Sequence, residues 1–206
     1  MAKLIFYDKD HQYEVDGENV PSVSEILRFM SREVYDDLPQ FRVENAGQRG
    51  TNIHKACENL DRFGDVEIGI DIEPYLRAYI DFLDNNNVVW SGIEKALHSD
   101  NLMFAGTIDR IGVINGKSCI VDLKSNSAIK KPLVAAQLYG YKLLAEENGF
   151  KIDTMYCLWL KKDGTHKLIE LNEGENLWQS CYTLHQALKV KKRKSKVIPE
   201  EVEEEN

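Results

Sequence analysis

The sequence predicts a mixed α/β fold in which one central sheet is flanked by helices. The chain has 206 residues, near the usual size of one domain, and 43% of them are hydrophobic, a share typical of globular proteins. Apolar residues recur at helical spacing in some segments and alternate in others, so helices and strands are mixed along the chain. We expect residues 1–188 to form one domain, with a strand pair and a helix start in 1–30, and residues 189–206 to form a disordered tail.

The predicted elements follow one another with recognisable boundaries. Strands Leu4–Tyr7 and Tyr13–Val15 come first, and the Ser-x-x-Glu pattern at Ser22 is a capping box that begins a helix. Further helices are predicted over 43–63, 74–85, 132–148 and 177–188, and further strands over 88–97, 103–114, 117–124, 152–160 and 167–171. Asn115-Gly116 lies between two alternating segments, which strongly indicates a hairpin.

Charge and cysteine content exclude several classes of protein. Six basic residues in 189–196 and five acids in 200–205 leave residues 1–188 with a net charge of −9, unlike the usual nucleic-acid binder. The basic segment is either a solvated tail or a flexible phosphate clamp formed by Lys189, Lys191, Lys192, Arg193 and Lys194. The four cysteines show no CxxC spacing, which argues against zinc modules, disulfide frameworks and iron–sulfur clusters.

The sequence also lacks membrane and export signals. No apolar run is long enough to span a membrane, and the first residues lack the core of a signal peptide. We therefore expect a cytoplasmic protein without a membrane partner. The residues leave the oligomeric state open, and a monomer is our working expectation.

The Asn115-Gly116 hairpin predicts a pair of facing carboxylates. If these two residues form the turn, Ile114 faces Lys117, and the same register places Asp109 opposite Asp122, about 5 Å apart. Lys124 lies two residues beyond Asp122 and therefore on the same face of the strand. Two like charges at such a distance destabilise a sheet unless solvent or a cation compensates them.

Two interpretations of this pair remain open. Oxygen ligands favour Mg²⁺ or Mn²⁺, and Lys124 could then hold the attacking water, help to deprotonate it or offset developing negative charge. Alternatively, the aspartates are solvated and Lys124 is only their salt-bridge partner.

Two helical pairs favour the metal site. His54 and Glu58 share a helix face, so His54 could be a further ligand, with Glu58 orienting it or binding through water. Gln137 and Tyr141 share a face of the helix that follows the predicted strand 117–124. There they could position Lys124 or contact a phosphate. Each pair alone could equally be a surface contact or half-buried core.

Four motifs stand in order along the chain. They are Gly-x-x-x-His-x-x-x-Glu from Gly50 to Glu58, Gly-x-x-Asp from Gly106 to Asp109, Asp-x-Lys from Asp122 to Lys124, and Gln-x-x-x-Tyr from Gln137 to Tyr141. Together they resemble the RecB-type branch of the PD-(D/E)XK nucleases. The resemblance is strongest to bacteriophage RecB-like exonucleases and the mitochondrial genome maintenance exonuclease family. The segment from His11 to Glu25 resembles their leader, with His11 in a structural role.

This resemblance implies a restriction-endonuclease-like α-β-β-β-α-β core and a set of site residues. The implied metal ligands are His54, Asp109, Asp122 and the backbone carbonyl of Leu123. Asp109, Asp122 and Lys124 would be catalytic, and Glu58, Gln137 and Tyr141 would support them. The chain departs from many members in having Asp rather than Glu at 122, and it lacks the cysteine quartet that holds an iron–sulfur cluster in some relatives.

The sequence therefore predicts a Mg²⁺- or Mn²⁺-dependent DNA exonuclease of replication, recombination or repair. The resemblance implies single-stranded DNA or free DNA ends as substrate. The alternatives are an endonuclease or RNase with the same centre, a non-catalytic nucleic-acid-binding subunit, and an acidic interaction protein.

Overall fold

The structure is a computed structural model that describes residues 3–7, 12–35, 40–64 and 69–196, with the backbone alone at 34–35, 40–45 and 190–196. His11 lies outside the described residues. Within them, no helix combines the length and the apolar character needed to cross a lipid bilayer.

A small antiparallel sheet opens the chain. It contains β1 (Leu4–Tyr7), β2 (Gln12–Val15) and β3 (Glu18–Val20) in that order, one strand more than the predicted pair. The third strand escapes detection because it has only three residues, two of them exposed. Asp16 and Gly17 both have positive φ, as a two-residue hairpin turn between β2 and β3 requires.

Four helices lead from this sheet to the central one. They are α1 (Val23–Ile26), α2 (Arg28–Tyr35), α3 (Gln40–Phe63) and α4 (Glu73–Asp84). One of the two hydrogen bonds of the capping box is confirmed: the Ser22 hydroxyl accepts a hydrogen bond of 2.9 Å from the Glu25 N–H. The helix it begins is short, because the chain turns at Leu27 before α2 starts.

The central sheet has five strands in the order of the chain. They are β4 (Val88–Ser99), β5 (Phe104–Ile114), β6 (Lys117–Lys124), β7 (Thr154–Leu160) and β8 (His166–Glu170). Only β6 and β7 are parallel, and α5 (Lys131–Glu147) makes the crossover that parallel neighbours need. The series α4-β4-β5-β6-α5-β7 has the predicted α-β-β-β-α-β order, so the mixed α/β class is confirmed.

The predicted register of the β5–β6 hairpin is confirmed. Ile114 pairs with Lys117 and Arg110 with Val121, and positive φ angles at Asn115 and Gly116 form the turn. Asp109 and Asp122 are the next facing positions after the last of these pairs.

Both faces of the central sheet are covered. One hydrophobic cluster joins the sheet to α1, α5 and α6 (Glu175–Lys196), and another joins the opposite face to α3 and α4. Cys119, Val121 and Leu123 of β6 lie in the second cluster, on the strand face opposite to Asp122 and Lys124.

The end of the chain differs from the prediction. The helix α6 continues to Lys196, so residues 189–196 extend a helix where we expected the disordered tail to begin. Lysine and arginine are good helix formers, and a preceding helix with buried Trp178 and Cys181 supplies the nucleus. Residues 197–206 lie outside the described residues.

Candidate metal and catalytic centre

The candidate centre lies where the regular pairing of β5 with its neighbours is interrupted. In the β4–β5 ladder, Ile93 pairs with Arg110 and Lys95 with Ile108, and Glu94 between them has a φ of 46°. Such a positive φ is uncommon for a residue other than glycine and is found at functional sites. It lies beside Asp109, at the position where the β5–β6 ladder also stops.

Helix α3 brings His54 to this point. Its Nδ1 lies 3.6 Å from Asp109 Oδ2 and 3.9 Å from Glu94 Oε1, while its Nε2 lies 3.0 Å from the carbonyl oxygen of Leu123. With a proton on Nε2, the ring donates to Leu123 and turns Nδ1 toward the two carboxylates. The structure thus brings His54, Asp109 and Leu123 together, as the resemblance implies.

Asp109 is fixed on its other side by the backbone of β6. Its Oδ2 accepts a hydrogen bond of 2.7 Å from the Leu123 N–H. The side chain is only 10% exposed, so its orientation is set by the sheet and not by solvent. At the facing pair of Asp109 and Asp122, this side-chain hydrogen bond replaces the regular backbone pairing of β5 with β6.

Lys124 links the second aspartate to the helix α5. Its ammonium lies 2.7 Å from Asp122 Oδ2 and donates to Gln137 Oε1 at 3.2 Å. Gln137 in turn donates to the Tyr141 hydroxyl at 3.1 Å. The predicted pair on α5 therefore does position Lys124 in the structure, because residues four apart on one helix face meet the same strand end.

The charges of Asp109 and His54 stabilise each other. Burial alone would raise the pKa of Asp109, but His54, Lys124 and the Leu123 N–H outweigh it and lower the pKa to about 2. Burial alone would lower the pKa of His54, but Asp109 and Glu94 outweigh it and raise the pKa to about 9. Without a metal, the pair is a carboxylate and an imidazolium at neutral pH.

The other two carboxylates are held less favourably. Burial, with the negative charge of Asp109 added, raises the pKa of Glu94 to about 7. Burial also raises the pKa of Asp122, although Lys124 opposes the shift. Lys124 itself has a raised pKa, because Asp122 and Asp109 outweigh its burial and keep it an ammonium. Glu94 and Asp122 therefore lie where the negative charge of a carboxylate is disfavoured.

These residues fit a divalent cation. His54, Glu94 and Asp109 each offer a ligand atom, and these atoms lie within 4.8 Å of one another. Asp122 is not one of these three; it is only 2% exposed, and its Oδ2 lies 2.7 Å from the Lys124 ammonium. Burying a carboxylate is costly unless cations compensate it, and burial raises the pKa of Asp122 although Lys124 opposes the shift. Carboxylates and an imidazole suit Mn²⁺, and the carboxylates also suit Mg²⁺.

The sequence interpretation missed Glu94. The length of the β4–β5 loop would have located this residue. Ser99 pairs with Phe104, so the loop has four residues, and this register places Glu94 opposite Asp109. The motif Ser99-Asp-Asn101 suggested a turn without fixing its length. An error of one residue in that length moves every side chain to the other face.

Glu58 does not contact His54 in the structure. Its carboxylate accepts hydrogen bonds of 2.8 Å from both Lys55 and Arg62 on the same helix. These two cations lower its pKa despite partial burial. Sharing a helix face with His54 was not sufficient, because nearer opposite charges bind the carboxylate.

The predicted clamp residues lie apart from this centre as far as they are described. Lys189 lies beside the loop 101–103 between β4 and β5, together with Tyr182 and Gln186. Lys191, Lys192, Arg193 and Lys194 continue α6, and their side chains lie outside the described residues.

No known protein family and no curated protein matches the sequence. The chain is similar to crystal structures of the alkaline exonuclease LHK-Exo from Laribacter hongkongensis. One has 13% identity and a TM-score of 0.39, covering 72% of this chain and 86% of that one. Another, in complex with dAMP, has 15% identity and a TM-score of 0.39, covering 85% and 93%. The protein SSO0001 has 16% identity and a TM-score of 0.43, covering 84% and 76%. These values are too low to assign a function.

Proposed function

We propose that this protein is a divalent-metal-dependent DNA exonuclease. The observation that supports it most is the group formed by His54, Glu94 and Asp109, whose ligand atoms lie within 4.8 Å of one another, beside the buried ion pair of Asp122 and Lys124. An ordinary surface salt bridge would not need two buried aspartates at the end of one hairpin.

The residues of the centre divide into ligands and a cation. Asp109, Asp122, His54, Glu94 and the Leu123 carbonyl would hold Mg²⁺ or Mn²⁺. The bound ion would polarise the scissile phosphate and lower the pKa of an attacking water. Water adds to phosphorus, the bond to the leaving sugar oxygen breaks, and a proton passes from the water to that oxygen.

Lys124 acts in this step as a fixed positive charge. Its raised pKa keeps it protonated, so it orients the water and offsets charge that develops on the phosphate. Gln137 holds the ammonium in place, and Tyr141 holds Gln137. His54, neutral when it binds a metal, gives up the proton that Asp109 and Glu94 otherwise stabilise.

The substrate and process follow from the sequence resemblance. It supports single-stranded DNA or free DNA ends as substrate, and a role in replication, recombination or repair. An endonuclease or an RNase with the same centre is the alternative, since a bound metal ion would contact the phosphate and not the sugar or the strand end.

One assay tests the proposal and its alternatives. End-labelled DNA, single- and double-stranded, linear and circular, is incubated with Mg²⁺, Mn²⁺ or EDTA, beside an RNA of the same sequence. We expect loss of linear single strands with either metal, no loss in EDTA, and intact circles. Cut circles would identify an endonuclease, and cleavage of RNA alone an RNase. Intact substrates under all conditions would contradict any nuclease, leaving the binding subunit or the acidic interaction protein.

A further inference from the structure

A basic and aromatic groove lies next to the centre, at the carboxyl ends of the parallel strands β6 and β7. Its volume is about 420 Å³, within the range of sites that enclose small ligands. The groove is lined by Arg49, Tyr75, residues 125–127, Trp159, Lys161 and Lys162. Ligands of sheets with parallel strands commonly bind at this edge.

The groove is continuous with Lys124. Ser125 follows Lys124 directly, and Trp159 on β7 is paired with Lys124 in the β6–β7 register. Neighbouring strands lie about 5 Å apart, so Trp159 and the proposed catalytic lysine are side by side on one face of the sheet. A nucleic-acid strand that crosses the metal centre would therefore enter the groove next.

The charge of the groove is opposite to that of the protein. Arg49, Lys161 and Lys162 face one acid, Asp163, whereas the whole chain has a net charge of −8. The Oδ1 of Asp163 accepts from the Thr165 N–H at 3.0 Å and from its hydroxyl at 2.7 Å, so this oxygen is already satisfied. The groove is therefore a local positive site on an acidic surface, suited to phosphate.

Two of the cations are held beside aromatic rings. The Lys161 ammonium lies 5.4 Å from the Trp159 ring centre, and the Arg49 guanidinium 5.9 Å from that of Tyr75. Arg49 is half-buried, so its side chain is held in place while part of it lines the groove. The indole N–H of half-buried Trp159 donates to the Asn126 carbonyl at 2.8 Å, which fixes the plane of the ring.

We propose that this groove binds one strand of DNA next to the phosphate that is cleaved. Phosphates contact Arg49, Lys161 and Lys162, and an unpaired base stacks on Trp159. Positive charge along a strand and stacking on aromatic rings are how proteins bind single strands without reading sequence. This inference rests on the proposed nuclease function, which it deepens by naming a single-strand site.

Binding in EDTA tests the phosphate contacts. A fluorescein-labelled oligothymidylate is titrated with the wild type, Lys161→Ala/Lys162→Ala and the control Lys117→Ala/Lys151→Ala. The control removes the same charge at the other end of β6 and before β7. We expect the groove variant to bind about tenfold more weakly and to flatten the log–log salt slope by about 1.4, or ~0.7 for each phosphate contact. Equal affinity of groove and control variants, or no binding by the wild type, would overturn the proposal.

Stacking is tested with Trp159→Leu. We expect about tenfold weaker binding of the oligothymidylate, and no change for an abasic oligonucleotide of the same length. Equal losses on both would overturn the stacking role, and unchanged circular dichroism would show that the variant folds. Tight binding of duplex that Trp159→Leu leaves unaffected would also contradict a single-strand site.

Cleavage with Mn²⁺ separates this inference from the proposed function. For Lys161→Ala/Lys162→Ala we expect a raised KM on a long single strand, an unchanged kcat, and unchanged cleavage of a dinucleotide. If the wild type cleaves no DNA, the nuclease proposal fails. If the wild type cleaves while groove and control variants share one KM, only the groove proposal fails.

Discussion

Asp109 and Arg110 are neighbours on β5, yet they belong to two charged clusters that differ in how well their charges are compensated. Arg110 is fully buried, forms an ion pair of 2.7 Å with Asp61 and donates to the Asp109 carbonyl at 2.6 Å. Asp61 also accepts from the Tyr79 hydroxyl at 2.7 Å. The Asp109 cluster instead sets Glu94, Asp109 and Asp122 against Lys124 and a histidine.

This difference separates the charged residues that stabilise the fold from those that are available to bind a ligand. The carboxylate of Asp61 accepts from both Arg110 and Tyr79, whereas the buried Asp122 pairs with Lys124 and still has its pKa raised by burial. Glu94 joins the two clusters, since its Oε1 lies 3.3 Å from Arg110 NH1 and 3.9 Å from His54 Nδ1. We therefore expect substitutions in the first cluster to change stability and those in the second to change activity.

The largest effect is expected for Asp122→Asn. Loss of an anionic ligand should reduce Mn²⁺-dependent cleavage by about three orders of magnitude or more. Stability in EDTA should stay level or rise, because burial raises the pKa of Asp122 and the folded state thus disfavours its charge. Cleavage rates and urea denaturation in EDTA measure both. Asp153→Asn, at an exposed carboxylate, is the control, and cleavage near wild type by Asp122→Asn would contradict the metal site.

Arg110→Met should have the largest effect on stability. It leaves the buried Asp61 and the half-buried Glu94 without their cation, at a cost of about 3–5 kcal/mol in the free energy of unfolding. Arg77→Met is the matched control, because Arg77 forms an exposed pair with Glu73 on one helix and its loss should cost less than about 1 kcal/mol. Urea denaturation of the two variants measures the contrast. Equal losses of stability in the two variants would show that burial does not determine how much an ion pair contributes to the free energy of unfolding.

Lys124→Ala should slow the chemical step by about 100-fold, or ~3 kcal/mol, and leave Mn²⁺ binding largely intact. The reason is that its ammonium supplies charge beside Asp122 without being a ligand. Single-turnover rates and the Mn²⁺ dependence of thermal stability measure the two properties. Lys142→Ala, which removes an exposed ion pair on α5, is the control. A change in KM alone would make Lys124 a phosphate-positioning residue.

The smallest effect is a pH dependence of stability in EDTA. The pKa of His54 is raised from 6.5 to about 9 in the folded state, so its stabilising contribution is complete below pH 6.5 and is lost as the pH rises through 9. His54→Gln should therefore remove part of the wild-type loss of stability between these values. Metal binding requires the neutral ring, so stabilisation by Mn²⁺ should grow over the same range. Thermal denaturation across this range tests both, and identical profiles of the two proteins would contradict the shift.

Local sequence determined the hairpin and thereby half of the site. Asn115-Gly116 can adopt the positive φ angles of a two-residue turn, and that turn alone fixes the register that brings Asp109 to the level of Asp122. Period-two alternation then places Lys124 on the same face. The capping box at Ser22 and the ends of most helices were equally local and were predicted for that reason.

Tertiary structure decided which other charges join the pair. The approach of His54 from α3 and the ion pair of Arg110 with Asp61 join residues far apart in the chain, so no local pattern encodes them. Helical spacing likewise gives the face of Glu58 but not its ion pairs with Lys55 and Arg62. Periodicity and turn chemistry act over a few residues and set strands and register, whereas burial and charge compensation depend on elements that meet only after folding.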